Sequence, residues 1–272
     1  MEINFVKAKK SDIPNLRALW LESFNEKPEA VDLIMESFDI FLVYCAKIDD
    51  KIVAGLYLLK GSVNGFKAHY MLGVATAVKF RKMGIMSRLI DFSLEQARQD
   101  GYIYSLLYPA EESLYSYYKK FGYSELFSVV SFEKSREELE QIAEGLDCNR
   151  SCPDFDVLQK KCFVSNYFHT DRKYFDFAAE YYNIYGVKAV FSEKAFVIFE
   201  DGEEKATIVY CVYDDFVSVA SLLLENSKAE RFVFTTKPEN NTKFNKMVNG
   251  MIKSLNDDID VCNEAYIGIT LA

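Results

Sequence analysis

Histidine is nearly missing from this chain: among 272 residues only His69 and His169 occur. Chemistry that needs several histidines is therefore excluded. The six cysteines, Cys45, Cys148, Cys152, Cys162, Cys211 and Cys262, are scattered. Cys148 and Cys152 lie close together, but no second pair or nearby histidine completes a zinc set, so no metal site is expected. Without a secretion signal, these thiols are expected to stay reduced. No apolar run approaches a membrane span, and the start, Met1-Glu-Ile-Asn-Phe-Val-Lys, lacks a basic-then-apolar leader pattern. The expectation is a cytoplasmic protein that does not enter a membrane. Positive charge is also in deficit, with 32 Lys and Arg against 41 Asp and Glu, a net charge of −9. That balance argues against a nucleic-acid partner, which usually meets a basic face.

What is present is apolar bulk. Half the residues are hydrophobic and 15% aromatic, enough to exclude disorder and to fill one large core or two small ones. Residues 3–9 alternate as a strand should. Ser11-Asp12-Ile13-Pro14 then reads as a cap with an early proline, and the helix that follows carries Leu16, Leu19 and Trp20 on one face. It breaks at Lys27-Pro28 and resumes over 30–38. Strands are expected at 41–48 and 51–60 around an Asp49-Asp50 turn, and at 66–76. Residues 84–100 read as an amphipathic helix stopped by Gly101, followed by a strand (102–108), a helix (111–121) and a strand (125–133).

The most informative stretch runs from Tyr70 to Ile90. A strand ending Val74-Ala75-Thr76 enters a basic turn, Arg81-Lys82-Met83-Gly84, and the turn opens a helix at Ile85-Met86-Ser87. Such a turn leaves backbone N–H groups converging on one point, where the helix dipole also favours negative charge. Gly84 permits close approach of a ligand, and the expected guest is a phosphate or pyrophosphate.

The spacing Arg81-x-x-Gly84-x-Met86 resembles the pyrophosphate loop of the GCN5-related N-acetyltransferase (GNAT) superfamily. Downstream, Leu114-Tyr-Ser-Tyr-Tyr-Lys-Lys-Phe-Gly-Tyr123 resembles that family's fourth-helix signature. The resemblance covers residues 1–133 and is similar in detail to the Eis-type branch. It implies an α/β (α+β) fold: a GNAT fold with a mixed central sheet, then a second, smaller GNAT-like domain. It also implies acetyl-CoA as cosubstrate. The main chain of Val74, Ala75, Thr76 and Val78 would hold the pantetheine arm, and Arg81 to Ser87 the pyrophosphate. Tyr118 falls at the position of the family's general acid. Trp20, Phe24 and Glu26 would line the acceptor pocket, and the branch's use of a terminal carboxylate would fall on Ala272. Val78 stands where relatives often carry proline, and Met86 where they carry a small residue.

Residues 135–156 read as a helical connector opened by a capping box, Ser135-Arg-Glu-Glu138. From 157 the element order repeats that of 41–133: strands at 187–191, 195–199 and 206–213, a helix at 214–224, and a strand at 231–235. A helix over 240–255 and an extended 261–271 follow. The domains are thus expected at 1–134 and 157–272. Where the first half has Arg81 to Gly84, the second has Asp214-Asp215, carboxylates that would cap a helix but repel a pyrophosphate. Only the first half is expected to bind cofactor.

Acetyl transfer to an amine requires a held thioester, donors for the developing oxyanion, and a proton for the departing thiolate. A phenol such as Tyr118 can supply that proton. Glu22, Glu26, Glu111 and Glu112 remain open as base or ammonium-attracting groups. The reading is an N-acetyltransferase acting on a small-molecule amine by direct attack. Its competitor is a catalytically inactive acyl-CoA-binding regulatory protein.

Overall fold

The computed structural model describes residues 2–144, 154–162, 167–236, 246–248, 250–256 and 259. In chain order the elements begin β1 (Asn4–Lys7), α1 (Ile13–Ser23), α2 (Pro28–Glu36), β2 (Phe41–Ile48), β3 (Lys51–Val63) and β4 (Phe66–Thr76). Then come α3 (Ile85–Gln99), β5 (Tyr104–Leu107), α4 (Glu112–Lys119) and β6 (Ser124–Glu125). The second half holds β7 (Ser128–Ser135), α5 (Arg136–Ala143), α6 (Phe155–Cys162), α7 (Arg172–Ile184), β8 (Lys188–Ser192) and β9 (Ala195–Glu200). It closes with β10 (Lys205–Tyr213), α8 (Phe216–Asn226), β11 (Arg231–Thr236), β12 (Lys246–Val248) and β13 (Met251–Ser254). Among the described residues no helix is long and apolar enough to cross a membrane.

Two compact units result. One runs to Glu125 and takes in the segment that begins at Gly250; the other begins at Leu126. The division expected after residue 134 therefore falls earlier, and the first unit is discontinuous in sequence. Its seven-stranded sheet has the order β1-β2-β3-β4-β5-β13-β6. The second unit's six strands run β12-β7-β11-β10-β9-β8.

Local chemistry explains most of the first unit. Asp49 and Asp50 both take positive φ (47° and 60°) at the β2–β3 hairpin, the conformation a two-residue turn needs to match strand twist. Leu16, Leu19 and Trp20 are the buried face of α1. On the other side of the sheet α3 buries Ile85, Leu89, Ile90, Leu94 and Ala97 against Leu56, Leu58 and Met71. Gly101, at φ 80°, ends it.

The segment 240–255 departs from expectation. Its described parts are strands, not a helix. β13 pairs antiparallel with β5, from Met251 opposite Leu107 to Ser254 opposite Tyr104, and with β6 on its other side. Met251 and Ile252 are fully buried. Pairing there satisfies backbone groups of β5 that a helix would leave orphaned, and this outweighs local apolar spacing. The strand expected over 125–133 is likewise split into β6, paired with β13, and β7, paired with β11 and β12. The extended stretch expected at 261–271 lies outside the described residues.

The element echo between the halves appears as topology. β2, β3 and β4 are antiparallel and α3 crosses over to a parallel β5; β8, β9 and β10 are antiparallel and α8 crosses over to a parallel β11. In the second unit Leu139 of α5 and Val219, Ala220 and Leu223 of α8 bury against Phe199, Phe232 and Phe234.

Candidate active site

The site begins where β4 loses a neighbour. β4 and β5 pair in parallel only from Ala68–Tyr104 to Met71–Leu107; beyond Met71 that side of β4 has no strand partner among the described residues. On the other side it stays paired to β3, with an irregularity between Gly55 and Tyr57 that is taken up at Gly73 (φ 59°). The Ala77 N–H donates to the Val53 carbonyl. By strand alternation the main chain of Ala75 faces β3, while that of Val74 and Thr76 faces the open side. Ala75, expected to contribute main-chain contacts, is thus turned away.

Two side chains already bind this edge. Arg81 Nε donates to the Thr76 carbonyl (3.0 Å), and the Val78 N–H donates to Glu22 Oε1 (3.0 Å). The Val78 N–H, expected to face a pantetheine arm, is thus occupied by the Glu22 carboxylate in this structure. The Arg81 guanidinium is folded back on its own strand, so Arg81 serves the turn more than a guest.

Past Val78 the chain makes a short 3-10 turn to Phe80, and the Arg81 N–H reaches the Val78 carbonyl at 3.4 Å. Lys82 (φ 63°) and Gly84 (φ 70°) are both left-handed. For Lys82 that conformation costs about 1–2 kcal/mol. The first helical bond of α3 is Arg88 N–H to the Gly84 carbonyl, and no side chain caps the helix. Among the described residues, the six amides from Lys82 to Ser87 donate to no protein oxygen. This is an uncapped N-terminus with unpaired amides, as the strand–turn–helix sequence predicts. Met83 at its rim is 52% exposed, whereas Ile85 is buried and Met86 packs into the core, which is how the loop accommodates a bulky residue there. Ser87 Oγ lies 3.3 Å from the Tyr117 hydroxyl, linking α3 to α4.

The equivalent junction of the second unit is filled. Asp215 accepts from the Ser218 N–H (2.8 Å) and also pairs with Lys194. Burial would raise the Asp215 carboxyl, but these hydrogen bonds outweigh it and hold it below the usual carboxylate value.

Tyr118 lies on α4 with its ring edge-on to Tyr117 and Tyr123. Burial, then the neighbouring Tyr117, pushes its phenol well above the ordinary range, so it keeps its proton at any physiological pH. Behind it runs a chain that sequence reasoning missed. Tyr123 OH lies 2.5 Å from Ser105 Oγ, and Ser105 Oγ 2.7 Å from His69 Nε2. His69 is wholly buried, which drives its pKa down to about 3. The only available signal was a histidine inside an apolar strand.

Across the sheet Trp20 stacks near Phe24 (5.1 Å) and edge-on to Tyr57 (4.9 Å), with Phe41 beyond. The structure so brings Trp20 and Phe24 together beside Gly73. Glu26 follows on the same segment, half-buried and with partners of its own. Ala272 lies outside the described residues, as do Cys148, Cys152 and Cys262. Among the described residues no three His, Cys, Asp or Glu side chains gather as a metal set.

Residues 4–126 match the family model described as an acetyltransferase (GNAT) domain. Among solved structures, the chain is similar to a GCN5-related N-acetyltransferase from Kribbella flavida, with TM-score 0.69 and 16% identity over 92% of this chain and 70% of that one. It is also similar to Eis1 from Mycobacterium abscessus, with TM-score 0.68 and 11% identity over 93% and 74% of the two chains. A GCN5-related N-acetyltransferase from Anabaena variabilis gives 0.67 and 16% over 94% and 73%. At these identities the likeness is one of fold. No curated protein sequence matches the chain.

Proposed function

From the match of residues 4–126 to the GNAT acetyltransferase domain, we propose that this chain is an acyltransferase that moves an acetyl group from acetyl-CoA to the primary amine of a small molecule. The observation that carries the reading is the row of six unpaired amides from Lys82 to Ser87 at an uncapped helix start. Four such donors belong to any uncapped helix start; here the two further amides of Lys82 and Met83 extend the row, which suits a diphosphate.

Acetyl-CoA would supply an acetyl thioester. The cradle from Lys82 to Ser87 would hold its diphosphate, and the open main chain of Val74 and Thr76 would orient its arm, with Arg81 releasing the Thr76 carbonyl when that group is needed. Tyr118 holds a proton at its hydroxyl for a departing thiolate. Burial keeps this phenol protonated in the structure as it stands, and transfer to a thiolate requires that the bound cofactor stabilise the phenolate that forms. On the acceptor side, Phe24 is partly exposed and packs on the buried Trp20, which in turn packs on Tyr57, and Glu26 adds negative charge. Asp215 closes the equivalent helix start in the second unit, which supports a single cofactor site per chain.

Isothermal titration of coenzyme A and thiol release from acetyl-CoA with a panel of amines test this directly. Tyr118→Phe is expected to bind coenzyme A as the native protein does while losing about 10²–10³ in turnover. Absence of any coenzyme A binding by folded protein removes the proposal. Binding without turnover on any amine moves the protein to the regulatory reading.

A further inference from the structure

The end of α1 carries two polar atoms that nothing in the described structure satisfies. Trp20 Nε1 and Ser23 Oγ are buried and lack a hydrogen-bond partner, and Trp20 as a whole is 5% exposed. Three residues apart on a helix, they share a face. A helical serine commonly returns its hydroxyl to the carbonyl four residues back, but Ser23 makes no such bond to Leu19. Each unsatisfied buried group costs about 1–3 kcal/mol. Ser221 Oγ on α8 and His69 Nδ1 are unsatisfied singly, whereas on α1 two such atoms fall on one turn.

Their surroundings identify what would complete them. The Trp20 ring fills the space a Gly73 side chain would take: a Cβ there would stand 2.4 Å from one ring carbon and 2.6 Å from another. The next residue is Val74, where the open edge of β4 begins. Trp20 thus reaches β4 through its Cζ3–Cη2 edge, and its orphan Nε1 lies on the other edge of the same ring, one helical turn from Ser23. Residues 20–27 include two carboxylates, Glu22 and Glu26, against one cation, Lys27. The helix end itself is the negative pole of α1. Such a field attracts an ammonium and repels a carboxylate. An indole N–H can only donate, so its missing partner is an acceptor atom.

We propose that Trp20 Nε1 and Ser23 Oγ are specificity-determining groups that receive a neutral oxygen of the acceptor, an ether, hydroxyl or amide carbonyl close to the reacting amine. The inference rests on the acceptor-side reading in the preceding section. It predicts that an amine bearing such an oxygen is preferred over both a plain alkyl amine and an amino acid carrying a carboxylate.

2-Methoxyethylamine and butylamine, which differ by an ether oxygen for a methylene, are the discriminating pair, with β-alanine as the carboxylate arm. The quantity read is the ratio of kcat/KM for the pair, compared between native protein, Trp20→Phe and Ser23→Ala. This comparison cancels the different basicities of the two amines. One hydrogen bond corresponds to about a fivefold fall in that ratio in either variant. Because Trp20 is the only tryptophan, its emission gives a second readout that needs no turnover. Saturable change with 2-methoxyethylamine in the presence of coenzyme A, and none with butylamine or β-alanine, is expected. Equal response to the two amines, or an unmoved ratio in both variants, overturns the proposal even if acetyl transfer is active. Discrimination by emission with no turnover on any amine sustains it and removes the acetyl-transfer reading instead.

Discussion

Replacing Gly73 by alanine tests whether the β4 irregularity and Trp20 are built around one another. Two costs are separable. At φ 59° any side chain pays for a left-handed backbone, about 1–2 kcal/mol. The new Cβ would also stand 2.4 and 2.6 Å from the Trp20 ring and 2.9 Å from Tyr57, distances real contacts do not reach. Relieving such overlap in a packed core costs about 1–3 kcal/mol more. Gly101 supplies the control, since it has φ 80° with nothing within 4 Å of an added methyl. Gly73→Ala should therefore lose about 2–5 kcal/mol and Gly101→Ala only about 1–2 kcal/mol in urea unfolding followed by far-ultraviolet circular dichroism. In a Trp20→Phe background, which removes the outer ring carbons, the extra penalty at position 73 should shrink toward the control value, as expected for residues in contact. If the two glycine variants unfold at the same urea concentration, Trp20 does not depend on the missing side chain, and the indole is not held against β4 as the acceptor-side proposal requires.

Three further outcomes follow from the same structure. Asp215→Ala removes a helix cap and should lower stability by about 1 kcal/mol in thermal unfolding while coenzyme A affinity measured by calorimetry stays as in the native protein; weaker binding would show that the second unit takes part in the cofactor site. Burial lowers the folded-state pKa of His69 to about 3, so as pH falls below about 6.5 the unfolded chain takes up the proton first. Stability should thus decline from about pH 6.5 toward pH 3, by at most about 1.4 kcal/mol per pH unit from this group, and His69→Gln should flatten that slope; an unchanged slope would mean that other groups govern it. A chain cut after Thr236 loses β13 and its buried Met251 and Ile252, and cooperative unfolding of the first unit should disappear from the calorimetric trace; a native-like transition would show that β5 does not require this partner.

Much of this was legible where the cause is local. The Asp49-Asp50 turn, the end of α3 at Gly101 and the Ser135–Glu138 capping box depend on a few adjacent residues, and the bonds expected are present. The loop from Lys82 to Ser87 was readable for the same reason, since orphan amides follow from helix geometry alone. What was not legible depends on partners far along the chain. Nothing near Met251 announces that β5 needs a neighbour, so apolar spacing over 240–255 suggested a helix. The occupation of the Val78 N–H by Glu22 joins residues 56 apart, and the Tyr123–Ser105–His69 chain requires the β4–β5 register to be known first. Element type followed from sequence where its causes are local, as it did not over 240–255, whereas strand exchange and side-chain closure followed from topology.

The placement of β13 carries a consequence for biosynthesis. Its partner β5 leaves the ribosome roughly 140 residues earlier, which at about 5–20 residues per second leaves the first sheet incomplete for some 7–30 s during translation. Throughout that interval the nascent chain exposes a bare strand border at β5. Completion of the first unit is in this way deferred until the distal segment emerges.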